Sequence, residues 1–386
     1  MTRQALRIAV TATALAAAAT LPAQAKDLTI GLATAQTGAL APYDQPSLAG
    51  FRMGVDEINA AGGIDGKWKI KLITKDTRSD TAETALAAQD LAGAGIQVMI
   101  TPCDADPSIA AGLIAQQAKI PTFSFCASTP TLPLDVGDYM FGAYPADNEQ
   151  GTMLAEYAIK QGYKTAYLLV SPDSAYTLKL PEYFGKVFKA EGGKVVGQAS
   201  YSLGQQDFSA VVTKISAMDP RPDVLMTSAY EPAFPAFIRQ LRGAGVKIPV
   251  LGSDGIDTPT TLGLGKLVDG VVYSTAGFAK PGSKLAAFNA RYEKLTGKKP
   301  DTLYIANGYD LAHVIAAAVK KAGSLDPATI RDAIAGLKDV QGVTGAITYA
   351  GTDRMPLRSV SLVRIVSDKR ELVSQGIPPV SKVPAP

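Results

Sequence analysis

The sequence predicts an α/β fold of two lobes in tandem, each a parallel sheet flanked by helices, with a cleft between the lobes. Three observations lead there. Short apolar runs rich in β-branched residues alternate with stretches carrying Ala and Leu at helical spacing, the pattern of parallel strands covered by helices. That cadence ends near position 145 and then starts again. The chain of 386 residues is also longer than one hydrophobic core usually supports.

In chain order, residues 1–25 read as an export signal. Arg3 and Arg7 supply positive charge, Ile8 to Leu21 is an alanine-rich apolar run, and Ala23-Gln24-Ala25 is a small-x-small cleavage site. At about 14 residues the run is shorter than the roughly 20 that span a bilayer. Strands are then expected near Leu28–Ala33, Lys69–Thr74, Gln97–Ile100 and Pro121–Ser124. Helices are expected near Ser47–Ala61, Thr81–Ala94 and Pro107–Ala118, with glycines just past two of their ends. The second series has strands near Ala166–Val170, Lys194–Ala199, Asp223–Met226 and Pro249–Leu251. Its helices fall near Asn148–Lys160, Tyr176–Ala190, Phe208–Ala217 and Pro232–Gly243. A strand near Gly270–Ser274, helices near Ser283–Thr296, Thr302–Ala322 and Pro327–Leu337, and a closing strand pair, Ala346–Tyr349 with Ser359–Ile365, complete the pattern. Crossings between lobes are expected near Tyr144–Asp147, Thr275–Phe278 and Tyr349–Thr352. Residues 26–145 and 277–350 then form lobe one, and 146–276 with 351–375 form lobe two. The proline-rich stretch 376–386 reads as a flexible tail.

Composition excludes several functions. With 38 basic and 35 acidic residues scattered along the chain, there is no electrostatic footprint for nucleic acid. His313 is the single histidine and Cys103 and Cys126 are the only cysteines, too few for a metal site, so neither metal nor cofactor is expected. Gly93-x-Gly95 and Gly263-x-Gly265 lack the third glycine of a dinucleotide loop, and neither a phosphate loop nor a nucleophile elbow occurs. A Ser/His or Cys/His pair would have to recruit His313 from mid-helix, away from the cleft. The chain does not read as an enzyme.

In open parallel sheets, ligands bind beyond the carboxyl ends of the strands. That rule selects loops Thr34–Asp44, Thr101–Asp106 and Phe125–Thr129 in lobe one, and Ser171–Tyr176, Thr227–Glu231 and Gly252–Thr258 in lobe two. All are rich in Ser, Thr, Asp and Tyr, which hydrogen-bond a small polar solute.

At these residues the chain resembles the branched-chain amino-acid (Leu/Ile/Val) binding proteins, the type I periplasmic binding proteins of ABC transporters. Ile30-Gly31-Leu32, Gly38, Gly50-Phe51 and the run from Asp56 to Ile64 carry the likeness, with Gln206-Asp207-Phe208-Ser209 and Ala306-Asn307-Gly308-Tyr309-Asp310 further on. The resemblance implies a periplasmic, monomeric substrate-binding component that closes on an amino-acid-like solute and delivers it to a permease in the inner membrane. It implies that Ala127, Ser128 and Thr129 hold a ligand carboxylate, that Asp254 holds an ammonium, and that Tyr43, Tyr176 and Tyr230 wall the ligand. The chain departs after the third strand, where Asp104 and Ala105 stand in place of small hydroxylated residues.

Each assignment has a plainer alternative. Asp254 fits a Ser-Asp-Gly turn, Ser128 and Thr129 can cap a turn before Pro130, the tyrosines can pack between lobes, and Asp104 and Asp106 can cap the helix at Pro107. A ligand sensor presenting its closed form to a receptor, or a binder of aromatic acids or amides, would share these features. Finally, in the strand order 2-1-3-4-5 of such a lobe, strands three and four are neighbours roughly 5 Å apart. Cys103 and Cys126 lie just beyond their ends, which predicts a disulfide, two free buried thiols being the alternative.

Overall fold

The computed structural model describes residues 27–386; the expected export signal lies outside the described residues. The first sheet is built from β1 (Leu28–Thr34), β2 (Ile70–Asp76), β3 (Val98–Thr101), β4 (Thr122–Ser124) and β5 (Met140–Phe141). They are parallel and ordered β2-β1-β3-β4-β5, the order the sequence suggests. Helices α1 (Ala41–Ala60), α2 (Thr81–Gly93) and α3 (Ala105–Gln117) and the short α4 (Leu132–Val136) connect them. α1 starts six residues before the expected Ser47, because Pro42 falls in its first turn, where a missing N–H costs nothing.

The chain then leaves this sheet for a second one. Here α5 (Asp147–Lys160), α6 (Ala175–Ala190), α7 (Ser209–Ser216) and α8 (Ala233–Gly243) alternate with β6 (Thr165–Val170), β7 (Lys194–Ser200), β8 (Val224–Thr227) and β9 (Val250–Gly252). After a short α9 (Pro259–Leu262) comes β10 (Val272–Thr275). The chain returns to the first lobe as α10 (Lys284–Thr296), α11 (Tyr304–Ala322) and α12 (Pro327–Ala335). The buried faces of α11 and α12 join the first core, where Leu311, Ile315, Val319, Ile330 and Ile334 meet Leu32, Leu48, Phe51 and Val55, while Leu285 and Phe288 of α10 pack on Ile305 and Tyr309.

The closing strands differ from expectation. Ala346–Ile347 (β12) pairs with Val340–Gln341 (β11), and only a Thr348–Leu357 bridge reaches toward the next segment. Val360–Val366 (β13) instead lies antiparallel between β10 and an unanticipated strand, Lys369–Gly376 (β14). The physical reason is burial: most of β13 is enclosed on both faces, which suits a strand interior to a sheet, whereas β14 is only half-buried and lacks an apolar run. Ser367 and Asp368, both at positive φ, make the tight turn between them. The second sheet is therefore mixed, in the order β14-β13-β10-β9-β8-β6-β7.

The tail expected to be flexible lies against the second lobe. Lys382 pairs with Glu156 and Glu191, at 2.9 and 3.0 Å, and Asn148 donates to the Pro384 carbonyl. No helix among the described residues is long and apolar enough to cross a membrane.

Two glycines let α1 and α11 cross at backbone contact. A Cβ on Gly308 would sit 1.9 Å from the Ser47 carbonyl oxygen, and one on Gly50 would sit 1.7 Å from that of Ile305. In a helix interior Gly→Ala normally stabilises by up to about 1 kcal/mol. Gly308→Ala should do the reverse, costing about 3 kcal/mol through overpacking, read as a lower urea midpoint with unchanged slope.

Candidate functional site

The loops beyond β1, β3 and β4 form a rigid wall. Thr101 and Ser124 are register partners, so the residues two further on lie side by side, and Cys103 and Cys126 are joined by a disulfide with Cα atoms 4.5 Å apart. The buried carboxylate of Asp44, on α1, accepts the N–H of Ala35 at 2.6 Å and of Cys103 at 2.8 Å, tying the first loop to the third. Ser124 donates to the Pro102 carbonyl and accepts the Ala127 N–H, and Asn307 on α11 donates to the Phe125 carbonyl. Asp104 is the N-cap of α3 and accepts a long hydrogen bond, 3.4 Å, from the Asp106 N–H. Ala105 follows as the first helical residue.

The facing wall comes from lobe two. Asp254 opens a single helical turn after β9, and Tyr176 stands at the start of α6. The Tyr176 hydroxyl reaches the Asp254 carboxylate at 3.0 Å and accepts the Gly255 N–H at 2.9 Å. Tyr230, after β8, lies beside it with ring centroids 6.2 Å apart.

Phenols from both sides bridge the lobes. Tyr43 donates to the Gly255 carbonyl and accepts the Glu231 N–H, both at 3.0 Å. Tyr230 donates to Asp104 at 3.3 Å. Tyr304, in the first turn of α11, reaches the Asp254 carbonyl at 2.8 Å and its carboxylate at 3.1 Å.

Between these walls lies a cavity. The structure brings Tyr43, Asp104, Ala105, Ala127, Ser128, Thr129, Tyr176, Tyr230 and Asp254 to its lining, together with both cysteines. Asp106 is exposed and turned away from it. Among the described residues no lysine, arginine or histidine lines it. Burial pushes the Asp254 carboxyl up to about 7, and burial with the neighbouring Asp106 charge pushes Asp104 up to about 6.

Sequence reasoning missed Tyr304 and the full part of Asp147. Tyr304 comes from a helix start rather than from a post-strand loop, so the topology rule does not select it. Asp147, expected only at a crossing, donates its N–H to the Ser128 carbonyl and accepts the Thr129 hydroxyl, which orders the Ser128–Thr129 segment from behind. Burial drives its carboxyl well above the usual range.

The family described as periplasmic binding protein matches residues 27–370. The chain belongs to that family. This binding protein is 27% identical over 359 residues to the Leu/Ile/Val-binding protein BraC3 of Rhizobium johnstonii, covering 92% of this chain and 96% of that one. Its structure is similar to the branched-chain amino acid transporter substrate binding protein LivJ from Streptococcus pneumoniae in complex with isoleucine, with TM-score 0.81 and 27% identity over 91% of this chain and 99% of that chain. It shares its fold with a solute binding protein of an ABC transporter from R. palustris in complex with benzoate, with TM-score 0.80 and 20% identity over 92% of this chain and 97% of that chain. The family is one of binding proteins, not enzymes.

The disulfide closes a loop with a sequence separation of 23 residues in the wall of the cavity. Exported protein alkylated without reductant should take up no label at either cysteine. Reduction should lower stability by about 3 kcal/mol in the chain-entropy account, measured by denaturant titration with and without reductant.

Proposed function

We propose that this binding protein is the periplasmic, substrate-capturing component of an ABC importer, closing on a small aliphatic amino acid and presenting it to an inner-membrane permease. The observation that carries this reading is the charge of the cavity. Its lining has carboxylates on both walls and no cation, so a purely anionic ligand would meet no counter-charge, whereas an ammonium would meet Asp254 between two phenols. The names of the similar proteins BraC3 and LivJ support a branched-chain side chain. In this reading the Ala127–Thr129 segment holds the ligand carboxylate, and Leu40, the disulfide and the tyrosine rings enclose the apolar part. Asp104 is engaged as the cap of α3 and as partner of Tyr230, which keeps it from the carboxylate.

Closure follows from bridging. A ligand touching both walls makes contacts in the closed form that neither open lobe offers, and only that difference shifts the equilibrium. The crossings near Tyr144–Asp147, Thr275–Phe278 and Tyr349–Thr352 act as the hinge.

The carboxyl of Asp254 gives a pH signature. Its pKa in the folded protein, about 7, is raised from 3.8. Between those values the folded state holds a proton that the unfolded state has released, so its contribution to stability diminishes as pH rises through that window. Below pH 7 the same proton competes with an ammonium for the site.

Calorimetry with L-leucine, L-isoleucine, L-valine and benzoate tests the assignment. One-to-one binding of the amino acids and none of benzoate is expected, weakening toward about tenfold per unit as pH falls below 6. Asp254→Ala should cost on the order of 2 kcal/mol of binding, roughly thirtyfold. Benzoate binding without amino-acid binding, or full affinity in that variant, would overturn the assignment.

A further inference from the structure

Three residues beyond Asp254, on the same segment, a second carboxylate joins the lobes outside the ligand cavity. Asp257 is buried, and its neighbours are mostly its own lobe: Tyr273 of β10 donates to it at 2.9 Å, and Arg370 of β14 pairs with it at 2.8 Å. Arg370 also donates to the Tyr273 hydroxyl at 2.9 Å, so the three side chains form a closed set within lobe two. What remains of their hydrogen-bonding capacity goes to the other lobe. The second Asp257 oxygen accepts the Leu303 N–H at 2.8 Å, and Arg370 donates to the Asp301 carbonyl at 2.5 Å.

Leu303 precedes α11, a helix of 19 residues; the Thr302 hydroxyl accepts the Tyr304 N–H at 3.3 Å, and the Leu303 N–H still needs a cap. Asp257 provides that cap from across the lobe boundary, placing a carboxylate where the first helical N–H groups and the helix dipole favour negative charge. The neighbouring residue, Tyr304, reaches inward to Asp254. Segments 254–257 and 301–304 are thus fastened twice, once on the ligand side and once on the side of a separate cavity lined by Asp257, Tyr273, Leu303 and Arg370.

We propose that Asp257 and Arg370 form a lock that holds the lobes together independently of ligand, setting the closed population and, through it, the ligand's residence time. The effect on residence time rests on the reading of this chain as a hinged binding protein; the lock itself does not depend on which ligand is bound. Neither residue lines the ligand cavity, so both act as positioning residues through the closed geometry. Apparent affinity scales with the fraction of protein in the competent form, and weakening one or two hydrogen bonds across the lobe boundary changes such a fraction about five- to tenfold.

Two variants separate the lock from the fold. Arg370→Lys keeps a cation beside Asp257 but cannot span Tyr273, Asp257 and Asp301 together; Asp257→Asn keeps an acceptor for Leu303 and removes the charge at the helix start. Circular dichroism checks that each is folded, and should Asp257→Asn fail to fold, Arg370→Lys carries the test. Small-angle X-ray scattering without ligand should show a larger radius of gyration than the wild type. Stopped-flow dissociation of L-isoleucine should be about five- to tenfold faster with little change in association. Scattering curves that superimpose on the wild type in a folded variant would overturn the lock. Should L-isoleucine fail to bind the wild type, the amino-acid assignment falls, and the scattering still decides the lock.

Discussion

The arrangement of the cleft depends on one buried carboxylate, that of Asp254, held between a phenol of its own lobe and a phenol of the other. A charge removed from water is costly unless it is hydrogen-bonded and neutralised. Tyr176 and Tyr304 supply hydrogen bonds but no positive charge, and the upward push on its titration is the expression of that shortfall. The pocket is therefore incomplete as a charge distribution. In the proposed reading a ligand that brings a cation completes it, and the phenols of Tyr176 and Tyr304 make the lobes meet there. Tyr43 and Tyr230 repeat the device on either side, each sending a hydroxyl across the boundary.

Around this point the two walls are built differently. Lobe one is stiff: Asp44, Ser124, Asn307 and the disulfide all fix main-chain groups of the three loops to one another. Lobe two contributes side chains on helix starts and a single short turn.

Much of this was legible in residues alone. The loops that carry Tyr176, Tyr230, Asp254 and Ala127–Thr129 follow from one rule, that open parallel sheets present their loops at the carboxyl ends of strands, and the family resemblance singles out those residues within them. The disulfide follows from adjacency of β3 and β4 together with the compartment. What escaped has a common cause, namely that its signal is not periodic. Tyr304 enters from the start of a helix belonging to the returning segment, β14 is half-exposed and polar, and Asp147 looks like an ordinary acidic residue in a first helical turn. Each is defined by contacts far away in sequence, which local pattern does not encode. Asp104 illustrates the opposite case: the capping alternative, visible from its place before Pro107, describes its geometry directly.

The return of the chain to lobe one also bears on how the molecule is made. The core around β1 and α1 is covered by α11 and α12, the first of which begins 270 positions after the end of β1. Until that last fifth emerges, the core between the first sheet and α1 lacks the two helices that close it. Such a nascent chain cannot complete that core early, and in the proposed periplasmic reading a polypeptide that stays unpacked while it is being made is the form that can be threaded through a narrow export channel before it folds.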